Sequence, residues 1–227
     1  MISLVKHVFI KRWPLGCLLF CIVGCFQQSK NEVPILSKSD SFREDQMEKI
    51  AFKKIRDARA SVNFGDLILR TGKDFTSDVM RQLSTHDKTY SHCGIASWEN
   101  DTLFVYHSIG GDFNPDQKLR RDVFEFFCNP YENRGFGIFR YKINDDQRKN
   151  IIKIAHKFYN DHIMFDMKFD LATNDRMYCS EFVYKTVEQA TQDSIQIGLT
   201  TINHFIFIAI NNLFINIFST EIKRIFF

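Results

Sequence analysis

Apolar and polar positions along this chain follow two periods, and each period marks a different kind of element. Short apolar runs bounded by glycines or turn residues read as strands: GDLILRTG at 65–72, SHCGIASWEN at 91–100, DTLFVYHSIGG at 101–111 and GFGIFRYKI at 135–143. The second and third of these meet at Glu99, Asn100 and Asp101, a turn that makes them a hairpin. Apolar residues three or four apart mark helices instead. One starts at Ser41, where Ser41 and Glu44 form a capping box and Phe42, Ile50, Ile55 and Ala58 supply an apolar side. A second covers DDQRKNIIKIAHKFYNDHI, with Ile151, Ile154, Ala155 and Phe158 on one face. A third runs from Tyr178 to Gln189, with Phe182, Val183, Val187 and Ala190 as its stripe and Cys179 in its first turn.

Other stretches follow neither period. Residues 73–89 read as a polar helix or irregular chain beside a cleft, and 112–135 as mixed structure with turns at Pro115 and Pro130. The tail is rich in apolar residues between 204 and 218, but Asn211, Asn212 and Asn216 interrupt it. Three amides are costly in hydrocarbon, so it reads as strand and short helix packed on the domain rather than a membrane span.

The N-terminus has an export layout: Lys6, Lys11 and Arg12, a mostly apolar run from Trp13 to Gly24, then Cys25. Ile22-Val23-Gly24-Cys25 resembles a bacterial lipoprotein signal. Residues 1–24 are therefore expected to be a signal peptide, Cys25 the lipidated residue, 25–40 a polar tether and 41–227 the folded domain. Such a protein would sit on the extracytoplasmic face of a bacterial membrane, anchored by its lipid. Without residues 1–24 the cationic side chains only balance the 27 Asp and Glu, which removes the electrostatic case for a nucleic-acid partner. Of six cysteines, Cys93, Cys128 and Cys179 stay in the domain. That odd number does not make a disulfide framework.

A free thiol needs a role, and Cys179 at a helix start has amides to favour its thiolate. His92 and His107, on adjacent predicted strands, are the candidate bases. In register, His107 can bond the far nitrogen of His92 and fix its tautomer. Taken without context, these residues fit equally well a buried thiol and two satisfied core histidines. Zinc on His92, His107, Cys179 and Cys93 is disfavoured: there is no close-spaced ligand pair and Cys93 alternates away from His92, so no metal or other cofactor is expected.

GDLILRTG, YSHCGIAS, FVYHSIGG and MYCSEFVY, in this order over roughly residues 61 to 190, resemble the motifs of the YiiX-like branch of the NlpC/P60 superfamily. The resemblance implies an α+β fold, a circularly permuted papain-like domain with an antiparallel sheet packed against helices. It implies Cys179 as nucleophile and His92 as base. His107 stands where that branch often has a glutamate, and resembles the two-histidine arrangement of the lecithin retinol acyltransferase group. The activity implied is a cysteine hydrolase that cleaves an amide in cell-wall peptide or a related acylated amine through a thioester. A lipid acyltransferase or esterase, or a noncatalytic peptide- or lipid-binding lipoprotein, are the alternatives. Tyr90 is an oxyanion candidate, equally readable as core. Asp66, Asp166 and Asp170 are substrate-binding candidates, each also readable as a turn or loop residue. The expected partners are a small peptide, cell-wall fragment or acylated substrate and the membrane, with the protein a monomer.

Overall fold

A computed structural model describes residues 38–111, 114–215, 217 and 219–227, so Cys25 and the export segment lie outside the described residues. The domain is built on a six-stranded sheet. Its strands are β1 (Leu67–Gly72), β2 (His92–Glu99), β3 (Thr102–His107), β4 (Arg120–Val123), β5 (Asn133–Tyr141) and β8 (Ser219–Phe226), ordered β4-β3-β2-β1-β5-β8. Every pairing is antiparallel. A hairpin of β6 (Thr200–Ile202) and β7 (Phe205–Phe207) stands apart.

Helices cover both faces, which is why β1 and β2 read as near-continuous apolar runs. On one face Leu67, Leu69, Ile95 and Phe139 pack against α4 (Asp145–Asn160) and α5 (Cys179–Thr191), through Ile151, Ala155, Phe182, Val183 and Val187. On the other, Ile68, Ala96, Val105 and Ile138 meet Ile55 and Ala58 of α1 (Lys38–Arg59) and Phe124 and Phe127 of the one-turn α3 (Phe124–Phe127). The short α2 (Phe75–Gln82) occupies the polar stretch after β1 and is capped by Asp74, whose carboxylate accepts from Ser77 N–H at 2.9 Å.

The β2–β3 hairpin turns at Asn100 and Asp101, with φ of 47° and 63°, as the sequence predicts. Helix α1 departs from expectation. It begins at Lys38, so Ser41 lies inside it rather than at its cap, and Phe42 and Ile50 point to solvent, Phe42 at 65% exposure. Only the second half of α1, from Ala51 on, reaches the sheet. The tail packs on the domain as strands and a 3-10 turn at Ile210–Leu213, where Asn211 fastens it and Asn212 holds the turn itself. Asn211 Oδ1 accepts from Thr85 N–H at 3.1 Å, and Asn212 Oδ1 from Ala209 N–H at 2.7 Å. Among the described residues no helix is long and apolar enough to cross a membrane.

Candidate active site

The site forms where β2 begins and β3 ends. His92 opens β2 and His107 closes β3, and a close approach of these strands is possible because residue 94 has no side chain. A Cβ there would lie 2.6 Å from the Tyr106 carbonyl oxygen and 3.0 Å from His107 Cβ. The glycine of the SHCGI stretch thus lets the imidazoles meet, with His92 Nε2 at 2.9 Å from His107 Nδ1. His107 Nε2 is in turn 3.0 Å from Asp122 Oδ2, a diagonal neighbour on β4, and Arg120 Nη2 donates to Asp122 Oδ1 at 2.8 Å.

This chain settles a proton. An ionised carboxylate only accepts, so His107 carries its hydrogen on Nε2 and presents a bare Nδ1. His92 Nε2–H then donates to that Nδ1, leaving His92 Nδ1 unprotonated and free to act as a base. The carboxylate is ionised: burial raises its pKa, but the His107 bond and Arg120 outweigh that and hold it low. Both imidazoles are kept neutral. Burial pushes His92 well below its usual value, helped by Arg70, and pushes His107 down to about 4 against the pull of Asp122.

Cys179 is the first residue of α5, only 5% exposed. Its thiol is held below the usual value. The main cause is a hydrogen bond from the Cys93 thiol; burial opposes it, and the Ser180 and Cys93 backbone N–H groups add to it. Cys93 itself is pushed up by burial and stays protonated. The front of α5 is fixed at the histidine strands by Ser108 Oγ, next to His107, which donates to the Met177 carbonyl at 2.6 Å, and Cys93, beside His92 in sequence, lies in the same core cluster as Cys179. The tail holds the same helix from behind, as Ser180 Oγ donates to Ile208 O at 2.7 Å and Ile208 N–H to Tyr178 Oη at 2.8 Å.

Strand alternation turns Cys93 toward α5 and both histidine rings toward Phe127, at 5.6 Å and 5.0 Å between ring centres. Among the described residues no hydrogen bond joins Cys179 to His92; Arg70 lies near both. It faces His92 in the β1–β2 register, depresses the His92 and His107 pKa values, and is itself influenced by the charges of Asp122 and Cys179.

The other candidates fall outside this constellation. Asp66, a substrate-binding candidate also readable as a turn residue, is fully buried in an ion pair: Arg140 donates to its two oxygens at 2.8 Å and 2.7 Å, and Asn63 N–H adds a bond at 2.7 Å. That leaves it no capacity for substrate. Asp166 is buried and spends its oxygens on the backbone N–H groups of Lys168 and Asp170, while exposed Asp170 caps the turn to Ala172. Both carboxylates shape the loop before α5, their turn reading. The Tyr90 ring lies in the core against Phe139 and Phe214, with its hydroxyl over Gly137 on β5, which is the packing role. Glu181 is buried as well and pairs with Lys185 Nζ at 2.9 Å.

Sequence reading missed Asp122 because RRDV, a four-residue polar edge strand, has no apolar alternation. The only early signal for Arg70 was a charge set inside the apolar run LILRTG.

The family described as permuted papain-like amidase enzyme, YaeF/YiiX, matches residues 61–205. A solved structure, the metalloprotein yiiX from Escherichia coli O157:H7, is similar over 73% of this chain and 99% of its own, at 17% identity and a TM-score of 0.60. That likeness speaks for the fold. A comparison with curated proteins gave no match. Among the described residues no three His, Cys, Asp or Glu side chains gather as a metal site, and the His92, His107 and Asp122 donors are spent on one another. Because the match runs through both histidine strands and most of the sheet to the far end of α5, and the solved relative shares the fold, the chain belongs to the YaeF/YiiX family of permuted papain-like amidases.

Proposed function

We propose that Cys179 is the nucleophile of this amidase, that His92 is its base, and that His107 and Asp122 position His92. The reading rests above all on one observation: the hydrogen-bonded series Asp122–His107–His92 ends in an unprotonated Nδ1 at the strand ends to which the start of α5 is fastened. The thiol gives its proton to His92 Nδ1 and the sulfur attacks the amide carbonyl. The backbone N–H of Cys179, one of the unsatisfied amides of the helix start, is the natural donor to the oxyanion. His92 protonates the departing amine, which leaves a thioester. Water, deprotonated by His92, then releases the acid and restores the thiol.

The substrate class that fits is an amide in cell-wall peptide or a related acylated amine. The lowered thiol pKa supports catalysis over mere binding in the cleft. The test is to incubate wild type and Cys179→Ala with cell-wall peptides and phospholipids side by side. Release of amine from the peptides by wild type alone is expected, with an acyl-enzyme adduct on Cys179 in the intact mass. Equal product from both proteins would remove Cys179 from the mechanism, and release of fatty acid instead of amine would favour an esterase. The export pattern supports a lipid anchor at Cys25 on the extracytoplasmic face; a mature protein that still begins at Met1 would refute it.

A further inference from the structure

Arg70 has given up much of its hydration without gaining a carboxylate. Other arginines that are partly or fully withdrawn from solvent are paired, among them Arg140 and Arg148 with Asp66 and Arg120 with Asp122. No carboxylate among the described residues lies within ion-pair distance of Arg70. Among the described residues the one hydrogen bond of its side chain runs from Nη1 to the Phe127 carbonyl at 3.2 Å, and the guanidinium lies 4.8 Å from the centre of the Phe127 ring. A half-buried cation held by a ring face and one carbonyl is left short of an anion and keeps N–H groups for one, and burial lowers its pKa.

Its position gives that deficit a use. Arg70 stands directly across from His92 on the neighbouring strand, on the face where both imidazoles rest on Phe127. Phe127 therefore carries the guanidinium and the base side by side. A planar guanidinium with unused N–H groups is suited to hold a carboxylate through two parallel bonds.

We infer that Arg70 is a specificity-determining residue that binds a free carboxylate of the substrate beside the scissile amide. The preferred substrate is then an N-acyl amino acid or a peptide whose carboxylate adjoins the bond cut. This inference rests on the proposed roles of Cys179 and His92 and narrows their substrate class.

The experiment compares an N-acyl amino acid with its carboxamide, identical but for the charge, on wild type, Arg70→Lys and Arg70→Gln. Wild type should prefer the acid. In R70Q the acid-to-amide ratio of kcat/KM should fall by about 100-fold, mostly through KM, and R70K should recover part of it, because the charge returns without the fork. The pH profile of Cys179 alkylation is read in parallel. A ratio unchanged in R70Q, with both substrates slowed alike and the alkylation profile moved to higher pH, would make Arg70 a stabiliser of the thiolate and overturn the inference. A wild type without preference for the acid would overturn it too. Neither result touches the nucleophile, because C179A should silence both substrates if the proposed chemistry holds, whatever the ratio.

Discussion

Asp66, just before β1, and Asp122, on β4, are both withdrawn carboxylates bonded to arginine on the same sheet, yet their networks end differently. Asp66 closes on itself: Arg140 takes both oxygens, Asn63 N–H shares one, and Arg148 lies 3.7 Å away. Asp122 gives one oxygen to Arg120 and uses the other to start a series through His107 that stops at a bare nitrogen of His92. A closed network lowers the energy of the fold and can do nothing else. An open one stores a preference for where a proton sits, which is of use only in a reaction. Whether a buried carboxylate is structural or functional is thus read from where its hydrogen bonds end, not from its burial or its arginine.

The sharpest way to break this contrast is to remove the open end. His92→Ala should lower kcat/KM by about 10⁴-fold, as expected for a lost base. A loss within a factor of ten, measured on protein shown to be folded, would mean that the series has no chemical terminus. Removing the closed network comes next. Asp66→Ala leaves buried Arg148 and half-buried Arg140 without their anion and should cost about 3 kcal/mol of stability. Urea unfolding reads that loss, while kcat per folded molecule stays at the wild-type value.

Asp122→Asn tests the proton preference itself. Arg120 keeps the amide oxygen, so the NH₂ turns to His107 and donates to its Nε2. That reverses the series and puts the hydrogen of His92 on Nδ1, the wrong nitrogen. A fall of about 100-fold in kcat with little change in KM is expected, with unfolding free energy altered by under about 1 kcal/mol. A variant that unfolds readily but works normally would make Asp122 a second Asp66. The smallest effect concerns Cys93. Its thiol donates to Cys179 and favours the thiolate, so Cys93→Ala should move the midpoint of Cys179 alkylation to higher pH. An unmoved midpoint would discard that bond as a cause.

Particular residues show what could be read in advance. The runs around Leu67, Ile95, Val105 and Ile138 announce strands because both their faces are buried, and Ile151, Ala155, Phe182 and Val187 announce α4 and α5 by their spacing. Within the site, two histidines on paired strands were legible as a pair, since the β2–β3 hairpin is local, whereas Cys179 was grouped with them through the resemblance of its motif. Asp122 was not legible, because β4 is recognisable only by what it pairs with. Asp66 was readable both as a turn residue and as a substrate contact, because its partners, Arg140 and Arg148, lie far along the chain and meet it only after β1 and β5 have paired.

By itself the sequence determined which segments become strands and helices, where the hairpin turns and that Cys179 stands at a helix start, since each follows from the period and end residues of one short segment. Only the tertiary structure decided which charges close on each other and which stay open, which nitrogen of His92 is bare, and that the Cys93 thiol meets Cys179. Those outcomes depend on register between distant strands, and a register is an energy shared by two segments, so neither segment carries it alone.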